Sequence, residues 1–131
     1  MIVENHVTRN EIALVLSDLR YSKAVSNIIK LIKDPKTLGN RGTLLYALEG
    51  LEYVEYLEDI IDLLDAEHFE IRAQSYILLQ KAIDILSKEK RHQYHEKLTK
   101  KLEDAYKKLE FLEDAIDMIK RHQRKYDVII E

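Results

Sequence analysis

The chain has 131 residues and a formal net charge of −3, with 46% apolar and 34% charged residues. That apolar share supports a core and excludes a disordered chain, while three Gly and one Pro are too few turn residues for a sheet protein. No apolar run nears the ~18 residues of a membrane span, the N-terminus lacks the order of a secretory signal, and the absence of Cys excludes disulfides and thiolate chemistry, so a cytoplasmic, cofactor-free, all-α chain is expected.

The first helix is predicted to start at Thr8, because Thr8-Arg9-Asn10-Glu11 has the form of a capping box. Ile12, Val15, Leu16 and Leu19 follow at helical spacing. Ser22 reads as the next N-cap, opening a helix through Val25, Ile28, Ile29 and Ile32. Asp34-Pro35 stops it, since a residue before Pro is pushed out of the helical region. Further helices are expected through Leu44, Leu45, Leu48 and Leu51, through Tyr56 to Leu64, and, after a break at Ala66-Glu67-His68, through Ile71, Ser75, Leu78, Leu79, Ala82, Ile83 and Leu86.

Residues 24–51 shifted by 31 fall on 55–82 without a gap. Ile29 then matches Ile60, Asp34 matches Asp65, Arg41 matches Arg72, Leu45 matches Tyr76, and Leu48 matches Leu79. Each unit is a helix, a short loop and a second helix. One such unit has two apolar faces and needs a stacked neighbour to bury both. The expected organisation is a single domain: an N-terminal capping helix in 1–21, hairpins in 22–51 and 52–87, and an amphipathic segment in 88–131.

Ile29 to Asp34 with Asn40-Arg41, and Ile60 to Asp65 with Ile71-Arg72, resemble the HEAT-repeat family. The resemblance covers residues 22–87 and implies an α-solenoid-like stack of antiparallel hairpins. It also implies that Asp34, Arg41, Asp65 and Arg72 form a ladder between neighbouring repeats. The period is shorter than the ~40–47 residues of longer units, and Asn40 stands where the family has an apolar residue.

From Leu98 to Ile119 the apolar residues step by four and three, as in a heptad seam. Leu102, Leu109 and Ile116 take one position; Leu98, Ala105, Leu112 and Ile119 take the other. Tyr106, Phe111, Ala115 and Met118 widen this stripe, which favours a long charged helix packed on its own domain. A monomer is therefore expected, with self-association through the seam as the alternative.

Charge is uneven. Nine carboxylates and no Lys or Arg lie between Glu49 and Glu70. Such a surface repels nucleic acid and attracts a basic protein. The basic elements 88–92 and 120–125, with Tyr94 and Tyr126 nearby, offer a weaker nucleic-acid reading. His92 and His95 have helical spacing but no third ligand, so no metal is expected. No phosphate loop or nucleophile motif is present. The expected function is non-catalytic binding of another protein, one with a basic surface, through the acidic stretch with Glu55, Glu58, Asp59, Asp62 and Tyr53, or through concave positions around Tyr46 and Ile77. Alternatives are an immunity- or antitoxin-type inhibitor of a basic toxin, and a HEAT-like nucleic-acid-binding or DNA-glycosylase-type protein.

Overall fold

In the computed structural model, residues 5–37 and 39–130 are described, with side-chain surroundings given through residue 124. The described residues form six α-helices and four short 3-10 turns, with no strand. Two units divide between Arg91 and His92.

Helix α1, His6–Asp18, has its N-cap three residues before the expected one. Asn5 is the N-cap, its side-chain oxygen accepting from the Val7 and Thr8 amides at 2.9 and 3.2 Å. Asn caps at least as well as Thr, so the earlier residue wins and Thr8 lies inside the helix. The buried side is Arg9 and Ala13, with Ile12 and Leu16 half-buried, while Val15 and Leu19 are exposed. The helix ends in a Schellman pattern: the Arg20 amide donates to the Ser17 carbonyl and the Tyr21 amide to that of Leu16, both at 2.9 Å. Arg20 takes the left-handed position with φ 54°, which costs a residue with a Cβ about 1–2 kcal/mol.

A 3-10 turn over Ser22–Ala24 leads into α2, Val25–Lys33. Ser22 is not a cap; its hydroxyl accepts from the Glu52 amide at 3.2 Å, joining two loops. Helix α2 buries Val25, Ile28, Ile29 and Ile32 and stops at Asp34, whose ψ of 126° is extended, as expected before Pro35. The following loop holds Thr37, fully buried, with its hydroxyl 2.6 Å from the Leu31 carbonyl and 2.8 Å from that of Asp34. Gly39, at φ 89°, supplies the left-handed residue of this loop.

Helix α3, Gly42–Leu48, is short and apolar on most of its circumference; Leu44, Leu45, Ala47 and Leu48 are each 0% exposed. It packs on α1, on α2 and on α5, Phe69–Ala82. Its exit turn lies against α1, where a Cβ on Gly50 would sit 2.9 Å from the Ser17 carbonyl oxygen. Only glycine permits that approach. After a 3-10 turn at Val54–Tyr56, α4, Leu57–Ile61, packs on α5.

The burial pattern corrects the repeat register. The first helices match at an offset of 32: Val25 with Leu57, Ile28 with Ile60, and Ile29 with Ile61 are all buried. The second helices keep 31 in part, since Leu44 and Ser75, and Ala47 and Leu78, are buried pairs. Tyr76, matched to the buried Leu45, is instead 59% exposed, and Leu79, matched to Leu48, is half-buried.

Helix α5 ends at Ala82 and a 3-10 turn covers Ile83–Ile85, so Ile83, expected within the helix, lies beyond its end and is exposed. Helix α6, Lys88–Ile130, is a continuous rod of 43 residues, about 64 Å long. The Ser87 hydroxyl caps it, accepting from the Lys90 amide at 3.1 Å.

Two stability measurements follow. Leu48→Ala should cost about 2–5 kcal/mol in chemical unfolding, and Leu79→Ala clearly less, because only Leu48 is fully enclosed. Equal losses would restore the uniform 31-residue register. Arg20→Gly should raise stability by about 0.5–1 kcal/mol, since glycine carries no Cβ penalty in the left-handed region. A loss on that substitution would show that Arg20 contributes contacts worth more than its backbone strain.

Candidate interaction surfaces

The acidic segment does not form one uncompensated face. Chain-distant cations reach into it. Glu49, just after α3, accepts from Lys81 Nζ at 2.8 Å and from the Gln74 amide. Burial pushes the Glu49 carboxyl up, but the hydrogen bonds from Lys81 and Gln74 and the Lys81 charge outweigh it and hold it below the ordinary carboxylate range. Asp59 is half-buried and ion-paired with Lys33. Glu55, Glu58 and Asp62 are exposed, and the last two also interact within the chain. Of the expected quartet, Glu55, Glu58 and Asp62 are thus exposed and Asp59 is half-buried. Glu55 and Glu52 line an open cleft of about 590 Å³ with Lys23, Tyr56 and Ile85.

Tyr53 is not a binding residue on an open face. It is 6% exposed, and its hydroxyl donates to the Leu78 carbonyl at 2.6 Å, fastening the turn after α3 to α5. Burial, and secondarily the Glu49 charge, push its phenol above the ordinary range. Tyr46 is exposed, as expected, and lines a cleft of about 350 Å³ with Arg20, Glu49, Gly50 and Lys81. Ile77 is half-buried on α5 and does not line that cleft.

The described bonds of the two repeat arginines are not those of an inter-repeat ladder. Arg41 donates from Nε to the Thr37 hydroxyl at 3.3 Å and from a terminal nitrogen to the Asp34 main-chain carbonyl at 3.2 Å. Arg72 donates to the Ala66 and Glu67 carbonyls, both at 2.8 Å. Each guanidinium closes the loop of its own hairpin, where helix-terminal carbonyls lack partners. The Asp34 carboxylate accepts instead from the Lys36 amide at 3.0 Å. Asp65 is exposed and interacts within the chain.

On α6, Leu102, Tyr106, Leu109, Leu112, Ile116 and Ile119 of the apolar stripe are 43–62% exposed, and Phe111 reaches 84%. From His92 onward α6 forms the second unit, in which Tyr94 is buried and Leu98 half-buried. Sequence periodicity finds the stripe but not what covers it.

No group of three or more metal-ligating side chains occurs among the described residues. His92 Nε2 lies 3.1 Å from Glu96 Oε1 on the exposed helix surface. None of the helices among the described residues is long and apolar enough to cross a membrane. Of the basic C-terminal element, Lys120, Arg121 and Arg124 are exposed, while the side chains of Lys125 and Tyr126 lie outside the described residues. Comparison with protein-family models, curated protein sequences and solved structures returns no match to this chain.

Tyr53→Phe should lower stability by about 1 kcal/mol near neutral pH through the lost hydrogen bond. It should also remove part of the alkaline decline. The raised Tyr53 pKa means that the unfolded chain loses this proton first, so stability falls as pH rises past about 10 toward the folded value. Glu49 acts at the other end: its lowered pKa stabilises at neutral pH, and that contribution is lost as pH falls through the lowered value. Urea titrations across pH check both, and an unchanged alkaline limb in Tyr53→Phe would contradict the Tyr53 assignment.

Proposed function

We propose that the chain is a non-catalytic protein-interaction module whose docking face is the apolar stripe of α6. The observation that carries this reading is the row of exposed Leu, Ile and Tyr side chains from Leu102 to Ile119. Exposed apolar rows of this length mark interaction sites, and a helix presenting anchors at steps of three and four is a recurrent way to engage another helix or a groove. Residues 5–91 serve as the second part of the module. Contacts of α3 with α1 and α5 in one row, and of α2 with α3 and α4 with α5, support a short solenoid-like stack of hairpins in keeping with the HEAT resemblance.

A second reading uses the exposed carboxylates Glu55, Glu58 and Asp62 to draw in a basic protein, charge setting the association rate. An inhibitor that covers a basic toxin surface is a narrower form of it. The neutralisation of Glu49 by Lys81 and of Asp59 by Lys33 reduces the field available for this, so the α6 stripe is preferred.

A pull-down compares the two. The tagged chain should retain protein partners, an untagged copy of itself included, that Leu109→Asp with Leu112→Asp fails to retain while circular dichroism shows the helices intact. Retention unaffected by that change but abolished by Glu55→Lys, Glu58→Lys and Asp62→Lys would move the site to the acidic face. Retention of duplex DNA at physiological salt, lost on removing Lys120, Arg121 and Arg124, would overturn both.

A further inference from the structure

At the offset of 32 that aligns α2 with α4, α1 falls on α3. Arg9 then matches Arg41, Ile12 matches Leu44, Val15 matches Ala47, Leu16 matches Leu48 and Leu19 matches Leu51. The four apolar positions form one helical stripe. In α3 and its exit turn the stripe is enclosed, at 0–7% exposure. On α1, Ile12 and Leu16 are half-buried, and Val15 and Leu19 are 54% and 72% exposed. The arginines differ in the same sense. Arg41 and Arg72 donate to the loop that follows the first helix of each hairpin. Arg9 is 7% exposed, and its Nε–H has no hydrogen-bond partner among the described residues. A buried donor left unpaired is costly. Helix α3 has α2 as its first helix and α5 has α4; no first helix precedes α1 among the described residues. We infer that the α1 stripe docks one helix of a partner protein, apolar on one side, basic along its flank, and ending in main-chain carbonyls that accept from Arg9.

Each property of the occupant answers to residues of α1. Its apolar side meets Ile12, Val15, Leu16 and Leu19. Its basic flank meets Glu11 and Asp18, both exposed and seven residues apart, so that they line one edge of the stripe. Its end meets Arg9, because the last carbonyls of a helix lack partners within it. Arg9 lies in the first turn of α1, so the occupant runs antiparallel to α1, as α2 runs to α3. Helix α2 has all three properties. It carries Val25, Ile28, Ile29 and Ile32 on one side, exposed Lys30 and Lys33, and then the Asp34 carbonyl that accepts from Arg41. The chain itself thus contains the pattern of a helix that fits such a stripe.

The probe is a synthetic peptide of residues 22–37, amidated at its C-terminus so that no terminal carboxylate competes for Arg9. It is titrated to millimolar concentration into the full chain labelled with nitrogen-15, followed by NMR. The expected result is saturable movement of the amide signals of residues 9–19 and of the Arg9 Nε–H signal, the latter downfield as it gains an acceptor. Val15→Asp with Leu19→Asp, two exposed positions, should weaken binding roughly tenfold or more with the helices intact by circular dichroism. Arg9→Lys should weaken it about tenfold, and a peptide carrying Ile28→Asp and Ile32→Asp should not bind. Absence of movement in α1 at millimolar peptide would overturn the inference. So would movement confined to α3 and α5, which is the peptide exchanging with α2. Movement of the stripe with the Arg9 signal unmoved would overturn the assignment of its acceptor. Leu109→Asp should leave the titration unchanged; loss of binding there would move the peptide site to α6 and overturn the α1 assignment.

Discussion

The N-terminal unit depends on covering one short helix. Four of the seven residues of α3 are fully enclosed, and a helix apolar on most sides has no stable existence beside water. Helix α1 covers one side, α2 a second and α5 a third. The turn that leaves α3 is fixed for the same purpose. Gly50 admits the α1 backbone, the Glu52 amide reaches Ser22, Tyr53 reaches the Leu78 carbonyl, and Glu49 holds Gln74 and Lys81. Residues 49–53 thus connect α3 to the helices on either side of it.

That junction explains why part of the acidic segment has a structural role. Composition counts Glu49 among nine carboxylates without a nearby cation. Packing brings Lys81 from 32 residues further along the chain, and hydrogen bonding to the charged form outweighs the burial penalty. The same logic separates Tyr53 from Tyr46. Both are tyrosines beside the same turn, yet one hydroxyl is spent on a buried carbonyl and the other side chain stands in an open cleft.

What could be read from the residues divides by the range of the interaction. Local rules worked where one residue acts on its own backbone: Pro35 stops α2 and the helical class follows from apolar spacing. They failed where neighbours compete. Asn5 caps α1 ahead of Thr8 because both are capping residues and spacing cannot rank them. The 31-residue shift aligns Ile29 with Ile60, both buried, yet it also sets the buried Leu45 against the exposed Tyr76, a difference that residue identity does not reveal. Arg41 and Arg72 were identifiable as paired positions, but three of their four acceptors are main-chain oxygens, which carry no side-chain signature. Helix α6 was legible as a helix and as a stripe, but periodicity is the same whatever the stripe faces.

The brevity of α3 and α4, seven and five residues, has a consequence for how the chain withstands proteases. Isolated helices shorter than about 12–15 residues are marginal in water, so neither persists once detached from its neighbours. A single cut in the loop after α2 or in the turn after α4 would therefore release the whole of the N-terminal unit to digestion, with no surviving half.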